Sequence, residues 1–362
     1  MRKFKNLLSA VAVLAILLGF GAAPASAVET IVLGMPVKPP PMVHLPVYYA
    51  IDKGIFKLNG LNVKVKFFRG GVATYRAAVS GKSALDAAWV PAPIGMTGIA
   101  KGSGHKFFHS MAFLFEAQLG VAPGINTVKD LRGKTIGIEG RGGYSHTGAL
   151  AVLGPNGLGD KDVKYIKTPP PARVPFLTKK KADAVLIHVE QVLLAKKLRP
   201  GVKAVASLWT YRPKYFYGAF MAHQDNLKAK RDAYVRFSVA MMQANRSIYK
   251  DKAGFLETAD KWMKKVYKKH GGLLSQTYDT FVKARIWAVN NGMPKATVDW
   301  TNAFNKKRGK YKKGTPATRT SSTQALLPMR SREWAGLSEN LRNSYFWPPR
   351  SLDAAAFFCP GP

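Results

Sequence analysis

The feature that most narrows the folds open to this chain is that one pattern runs along it twice. Residues 45–86 carry Ala50, Lys53, Gly54, Phe56, Gly60, Leu61, Gly70 and Gly71 in order. Asp130, Leu131, Arg132, Gly133 and Lys134 then open a second pass, which leads into the glycine-rich stretch 140–145. Each pass sets a strand against a turn that opens a helix, and such turns leave backbone N–H groups free to meet an anion. Two facing lobes of this kind make a clamp for a small ligand.

The residue periods agree with that outline. Residues 31–35 form a short apolar run stopped by Pro36 and by Pro39, Pro40 and Pro41, which predicts a strand and then a loop. Helical spacing covers 45–56, with Gly54 and Gly60 as late stops. Val63, Val65 and Phe67 alternate with Lys64 and Lys66, the mark of a half-buried strand over 62–68. A helix at 74–79, a strand at 85–90, a helix at 94–100 and a strand at 106–114 follow. The second pass predicts strands at 135–139, 163–166, 182–187 and 202–208, with helices at 145–153 and from 174. Residues 211–221 read as an extended aromatic segment crossing back, and 226–305 as helical. Strands alternating with helices predict an α/β fold with mostly parallel sheets.

The N-terminus reads as an export signal over residues 1–27. Arg2, Lys3 and Lys5 are its basic start, 7–20 its apolar core, and Ala25, Ser26 and Ala27 its cleavage site. The apolar run is shorter than the roughly 20 residues of a membrane span. Position 28 is Val and not Cys, so no lipid anchor is expected, and the mature chain should be free in the periplasm. The single cysteine, Cys359, excludes an internal disulfide and leaves stability to core burial. With 47% hydrophobic and 21% charged residues, the chain is expected to fold and not to stay disordered.

Charge is lopsided: 56 Lys and Arg against 20 Asp and Glu give +36. Such a field gathers anions, whether a small ligand, an acidic surface or nucleic acid. The lysines are scattered without interleaved aromatics, so nucleic acid is not expected as a partner. Residues 308–362 are rich in Arg, Ser, Thr and Pro and have no sustained period. They read as an atypical basic tail: a wrap on the first lobe, an unfolded segment, or a frame-shifted end.

In order and spacing, these motifs resemble the solute-binding proteins of nitrate-, sulfonate- and taurine-type ATP-driven importers, a group related to thiamine-pyrimidine precursor binding proteins. The matching residues are the proline loop 36–46, Ala50, Lys53, Gly54, Ile55, Phe56, Gly60, Leu61 and the strand 63–67. They continue through Gly70, Gly71, Ala77, Gly81, Asp86, the run from Asp130 to Lys134, Gly157, Leu158, Val163, Asp183, Ala184 and Glu190. Where the family usually has Pro after that Glu, this chain has Gln191. The match covers 29–220 well and 226–305 loosely, and fails beyond Arg308. The resemblance implies a two-lobed periplasmic binding protein fold of type II, with two hinge crossings and a ligand cleft between the lobes. The first lobe would take residues 28–118 and 213–307, and the second 119–212. It also implies a monomer that delivers a small molecule to an inner-membrane permease and its ATPase.

In open α/β sheets ligands sit beyond the C-terminal ends of strands, and that rule selects the candidate site. His44 and Tyr48 follow the first strand, Gly70 and Gly71 the second, and Trp89 ends the third. In the second lobe Gly143, Tyr144, Ser145 and Thr147 stand at a helix start, where hydroxyl and backbone donors could take a sulfonate or carboxylate. His188 and Glu190 follow the strand 182–187. Ser145 and Thr147 serve equally well as helix caps, and Trp89 as core. The expected ligand is a small organic anion such as an alkyl sulfonate, taurine or nitrate. The alternatives are a pyrimidine or aromatic ligand, favoured by Tyr211, Tyr215, Phe216 and Tyr217, or an adaptor role toward acidic surfaces. No enzyme is expected: the run 143–147 lacks the final Gly of a nucleophile elbow. No cofactor is expected, because the glycines at 140–143 lack the last member of a dinucleotide fingerprint. No metal is expected, since His105 and His109 fall on a strand without a nearby carboxylate.

Overall fold

The computed structural model describes residues 28–263 and 265–311; the expected export signal and nearly all of the basic tail lie outside the described residues. The chain forms two five-stranded sheets. The first contains β1 (Glu29–Met35), β2 (Leu61–Phe67), β3 (Ala87–Pro91), β4 (His105–His109) and β10 (Gly218–His223), in the order β2-β1-β3-β10-β4. The second contains β5 (Ala117–Val121), β6 (Thr135–Ile138), β7 (Lys164–Lys167), β8 (Ala184–His188) and β9 (Lys203–Ser207), in the order β7-β6-β8-β5-β9. The two sheets share a plan. In each, three parallel strands are followed by one antiparallel strand, and that strand is the first after a crossing between lobes.

The repeat extends to single residues. Asp86 precedes β3 and its carboxylate accepts from the Val32 N–H of β1 at 2.8 Å. Asp183 precedes β8 and accepts from Thr135 N–H of β6 at the same distance. In both lobes one carboxylate pins the start of the third strand to the first. The alternation in β2 also holds: Lys64 and Lys66 are exposed while Val63, Val65 and Phe67 pack inward. That suits an edge strand, where lysines discourage pairing with other chains. β8 lies inside its sheet and is buried along its whole length.

The lobes are joined by residues 110–116 and 212–217. Ser110 Oγ donates to Gly218 O at 2.6 Å, tying one crossing to the other. A strip at 286–291 lies along the first crossing through Ser110 N–H to Asn291 O, Phe113 N–H to Ile286 O, and Ala288 N–H to Met111 O. Gly292 has φ +69°, and a Cβ there would stand 2.3 Å from Ser110 O, so the strip can close only on glycine.

Four expectations change, the first being the helical reading of 226–305, which the strip at 286–291 interrupts. The helix expected over 45–56 is two, Leu45–Asp52 and Ile55–Leu58, because Gly54 turns left-handed (φ +69°) between them. The strand expected at 106–114 stops at His109, where the chain leaves for the crossing. β5 was not expected, since Gln118 and Gly120 interrupt its apolar run; it is nonetheless an inner strand of the second sheet.

Candidate functional site

The facing edges of the lobes meet in a buried cluster. His44, just before the helix Leu45–Asp52, has its ring 4.5 Å from Trp89, which stands mid-strand in β3 and not at its expected end, and 6.5 Å from His188 at the end of β8. Its Nε2 pairs with the Tyr217 hydroxyl at 3.0 Å. Tyr217, from the second crossing, lies 4.8 Å from Trp89 and 4.9 Å from Phe115 of the first. Tyr144 approaches His188 at 5.0 Å, and its hydroxyl is 3.3 Å from His188 Nδ1. The same nitrogen meets the carboxylate of Glu116. Glu190 reaches the first lobe, where its Oε1 accepts from Met42 N–H at 3.4 Å.

Beside this cluster a narrow cavity of about 40 Å³ lies between the proline loop after β1 and the second lobe's Pro170, Arg173, His188 and Glu190. That is water-sized, so a solute enters here only if the lobes part. Arg173 Nη2 donates to Glu139 at 2.7 Å, and its guanidinium lies 4.7 Å from the centre of the Tyr144 ring.

Burial sets the charge states. It raises Glu116 to about 8 and Glu190 to about 7, and lowers His188 to about 4 and His44 well below the ordinary range. Near neutral pH the histidines are uncharged, and burial holds both carboxyls toward their protonated forms. In and beside this cluster, five enclosed atoms have no hydrogen-bond partner among the described residues: His44 Nδ1, Trp89 Nε1, Glu116 Oε2, Glu190 Oε2 and Arg173 Nε. Native proteins rarely bury such atoms unpaired without a use for them. The set mixes donors and acceptors.

Of the residues selected from sequence, His44, Trp89, Tyr144, His188 and Glu190 come together here. The others do not. Tyr48 packs in the first lobe's core, 4.8 Å from Trp262 and 6.3 Å from Phe67. Ser145 Oγ accepts from Glu139 N–H at 2.9 Å, and Thr147 Oγ1 donates to Gly143 O at 2.8 Å. Gly143 N–H goes to Gly140 O, and Tyr144 N–H to the Glu139 carboxylate at 3.0 Å. The expected anion cradle is thus filled by the chain's own carboxylate, which takes the helix N-terminus an outside anion would need. Gly70 N–H is likewise used by Pro36 O at 2.6 Å, and Pro91 packs over Gly71.

Sequence reasoning missed Glu116, Glu139, Arg173 and Phe115. Glu139 directly follows β6, so the strand-end rule could have found it. Glu116 ends the first crossing, directly before the unexpected strand β5, and carried no signal. Gln191 has a local role: its side chain accepts from His188 N–H at 3.1 Å, closing a capping box on the helix Val189–Leu198.

Two sheets of matching plan, joined by two crossings around a buried polar and aromatic cleft, define a periplasmic binding protein fold. Residues 42–253 match the family described as NMT1/THI5 like, and the chain belongs to that family. No curated protein sequence matches the chain. A solved protein of Bordetella bronchiseptica is 20% identical with a TM-score of 0.67, over 87% of this chain and 96% of that one. The alkanesulfonate-binding protein of Xanthomonas axonopodis, solved with MOPS, is 16% identical with a TM-score of 0.63, over 82% and 99%. The nitrate-binding protein of Synechocystis is 16% identical with a TM-score of 0.60, over 82% and 84%. At these identities the likeness is one of fold.

Proposed function

We propose that this chain is the exported solute-binding component of an ATP-driven importer. It closes on a small, planar, nitrogen-bearing aromatic solute of pyrimidine type and presents it to a permease. What carries the choice of solute is the pair Glu116 and Glu190, both buried within the cluster. A sulfonate offers acceptors only and is repelled by Glu190 wherever that carboxyl is charged, while the nearest guanidinium is already engaged by Glu139. A neutral heteroaromatic with ring nitrogens and an amino group matches the mixed donors and acceptors left open, and His44, Trp89, Tyr144 and Tyr217 supply ring faces. A solute amine would hold Glu190 in its charged form.

The expectation of a small organic anion keeps two observations in its favour: Arg173 Nε is unpaired among the described residues, and Lys38 lines the cavity. Calorimetric titration with an aminopyrimidine and with an alkyl sulfonate separates the two. The aminopyrimidine should bind one-to-one with Trp fluorescence changing in step, and Glu190→Gln should weaken it at least tenfold. Tighter binding of the sulfonate, undiminished by Glu190→Gln, would overturn the aromatic reading.

A further inference from the structure

A second cleft between the lobes is built differently. Two adjoining hollows, of about 310 and 520 Å³, share Val72, Arg76 and Arg141. One wall is the first lobe: the loop after β2, the helices Gly71–Val79 and Ala92–Ala100, and the end of the helix Lys295–Lys307. The other is the second lobe's loop 139–142 with Tyr165 and Lys167. The first lobe contributes Arg69, Arg76, Lys101, Arg308 and Lys310, the second Arg141 and Lys167.

Acids do not balance these cations. Among the described residues Arg69, Arg76, Lys101, Lys167 and Arg308 have no ion-pair partner. Arg141 pairs with Asp160, which is itself shared with His146. The one carboxylate on the walls, Glu139, is occupied by Arg173 and the Tyr144 N–H. Arg308 adds an independent observation: its Nη1 is enclosed and unpartnered among the described residues, beside the hollow it lines. Like charges held on two separate bodies push them apart, and a multivalent anion placed between them reverses the sign of that force. Four of the seven are arginines, whose planar forks fit the paired oxygens of a phosphate group.

We propose that this groove binds a phosphate-bearing polyanion, and that the anion, by bridging Arg69 and Arg76 to Arg141 and Lys167, draws the lobes together. The site is separate from the aromatic cluster and rests on no assignment of the solute. It supplies a local use for part of the chain's positive excess. A free polyphosphate and an anionic lipid headgroup present the same chemistry.

The test uses the mature full-length chain and inorganic pyrophosphate. Pyrophosphate should bind at submillimolar concentration, raise the melting temperature, and shrink the radius of gyration in X-ray scattering without any solute. Potassium chloride at matched ionic strength should do none of these. Arg76→Glu with Arg141→Glu should weaken pyrophosphate binding at least tenfold, as should Arg69→Glu with Lys167→Glu, while Lys196→Glu on the outer face leaves it unchanged. Two variant pairs guard against one that fails to fold. In the lipid arm, vesicles containing phosphatidylglycerol should be bound in competition with pyrophosphate if headgroups are the source, and ignored if free phosphate is. Equal effects from chloride, full binding by both folded variant pairs, or vesicle binding that both pairs retain would overturn the proposal.

Discussion

Glu116 and Glu190 show at the level of single side chains how burial turns ordinary residues into a site. Held up to about 8 and 7 from an ordinary 4.5, they keep protons in the fold that the unfolded chain has released. Their contribution to stability therefore falls as pH climbs from 4.5 toward those values. His44, His188 and His109 run the other way. Burial lowers all three, His109 to about 3, so below pH 6.5 the unfolded chain takes up protons that the fold refuses. His105 and His146 are lowered as well, so the histidines outweigh the two acids below 6.5, and the acids dominate above it. Thermal stability should peak near pH 6.5 and fall by on the order of 1–2 kcal/mol by pH 8. Melting curves from pH 5 to 9 check this, and Glu116→Gln should flatten the alkaline limb. A stability that keeps rising between 6.5 and 8 contradicts the burial argument.

Elements are positioned by a few polar pins as well as by apolar packing. Asp183→Ala removes the acceptor that joins β8 to β6 and leaves Thr135 N–H without its partner, a loss of about 1–3 kcal/mol. Urea denaturation should show the midpoint shift with an unchanged slope. Gly292→Ala forces a methyl toward Ser110 O and strains a left-handed backbone, so it should destabilise by about 1–3 kcal/mol. Because that strip lies on the first crossing, the variant should also change solute affinity, which a substitution elsewhere in the helical part would not. Strand and helix order were legible in the sequence because β2 alternates cleanly and the glycines at 54, 60 and 81 punctuate the chain. β5 was not legible: a five-residue strand with Gln118 and Gly120 owes its place to its neighbours on both sides and not to its own pattern.

For the molecule as a whole the contacts that matter join the two lobes: Met42 to Glu190, His44 toward His188, and Gly70 facing the Glu139 carboxylate at 3.5 Å from where a Cβ would stand. Closing on a solute gains free energy only from contacts made to both bodies at once. Saturating solute should lower the radius of gyration measured by X-ray scattering, and His44→Ala should weaken binding by removing first-lobe contacts while leaving the second lobe intact. Scattering curves that superpose with and without bound solute would show that the hinge does not move.

By itself the sequence determined the two-lobed α/β plan and five of the cluster's residues, because periodicity and strand ends are local properties that a chain carries along its length. It also suggested an anion cradle at residues 143–147, since an N-terminal turn with hydroxyls looks the same whether its partner is a ligand or the chain. Only the tertiary structure decided that Glu139 occupies that turn, that Glu116 stands against His188, and that arginines from distant segments share one groove. Those outcomes depend on which residues meet across space, and burial, which sets their charge, does not exist until the lobes have folded together.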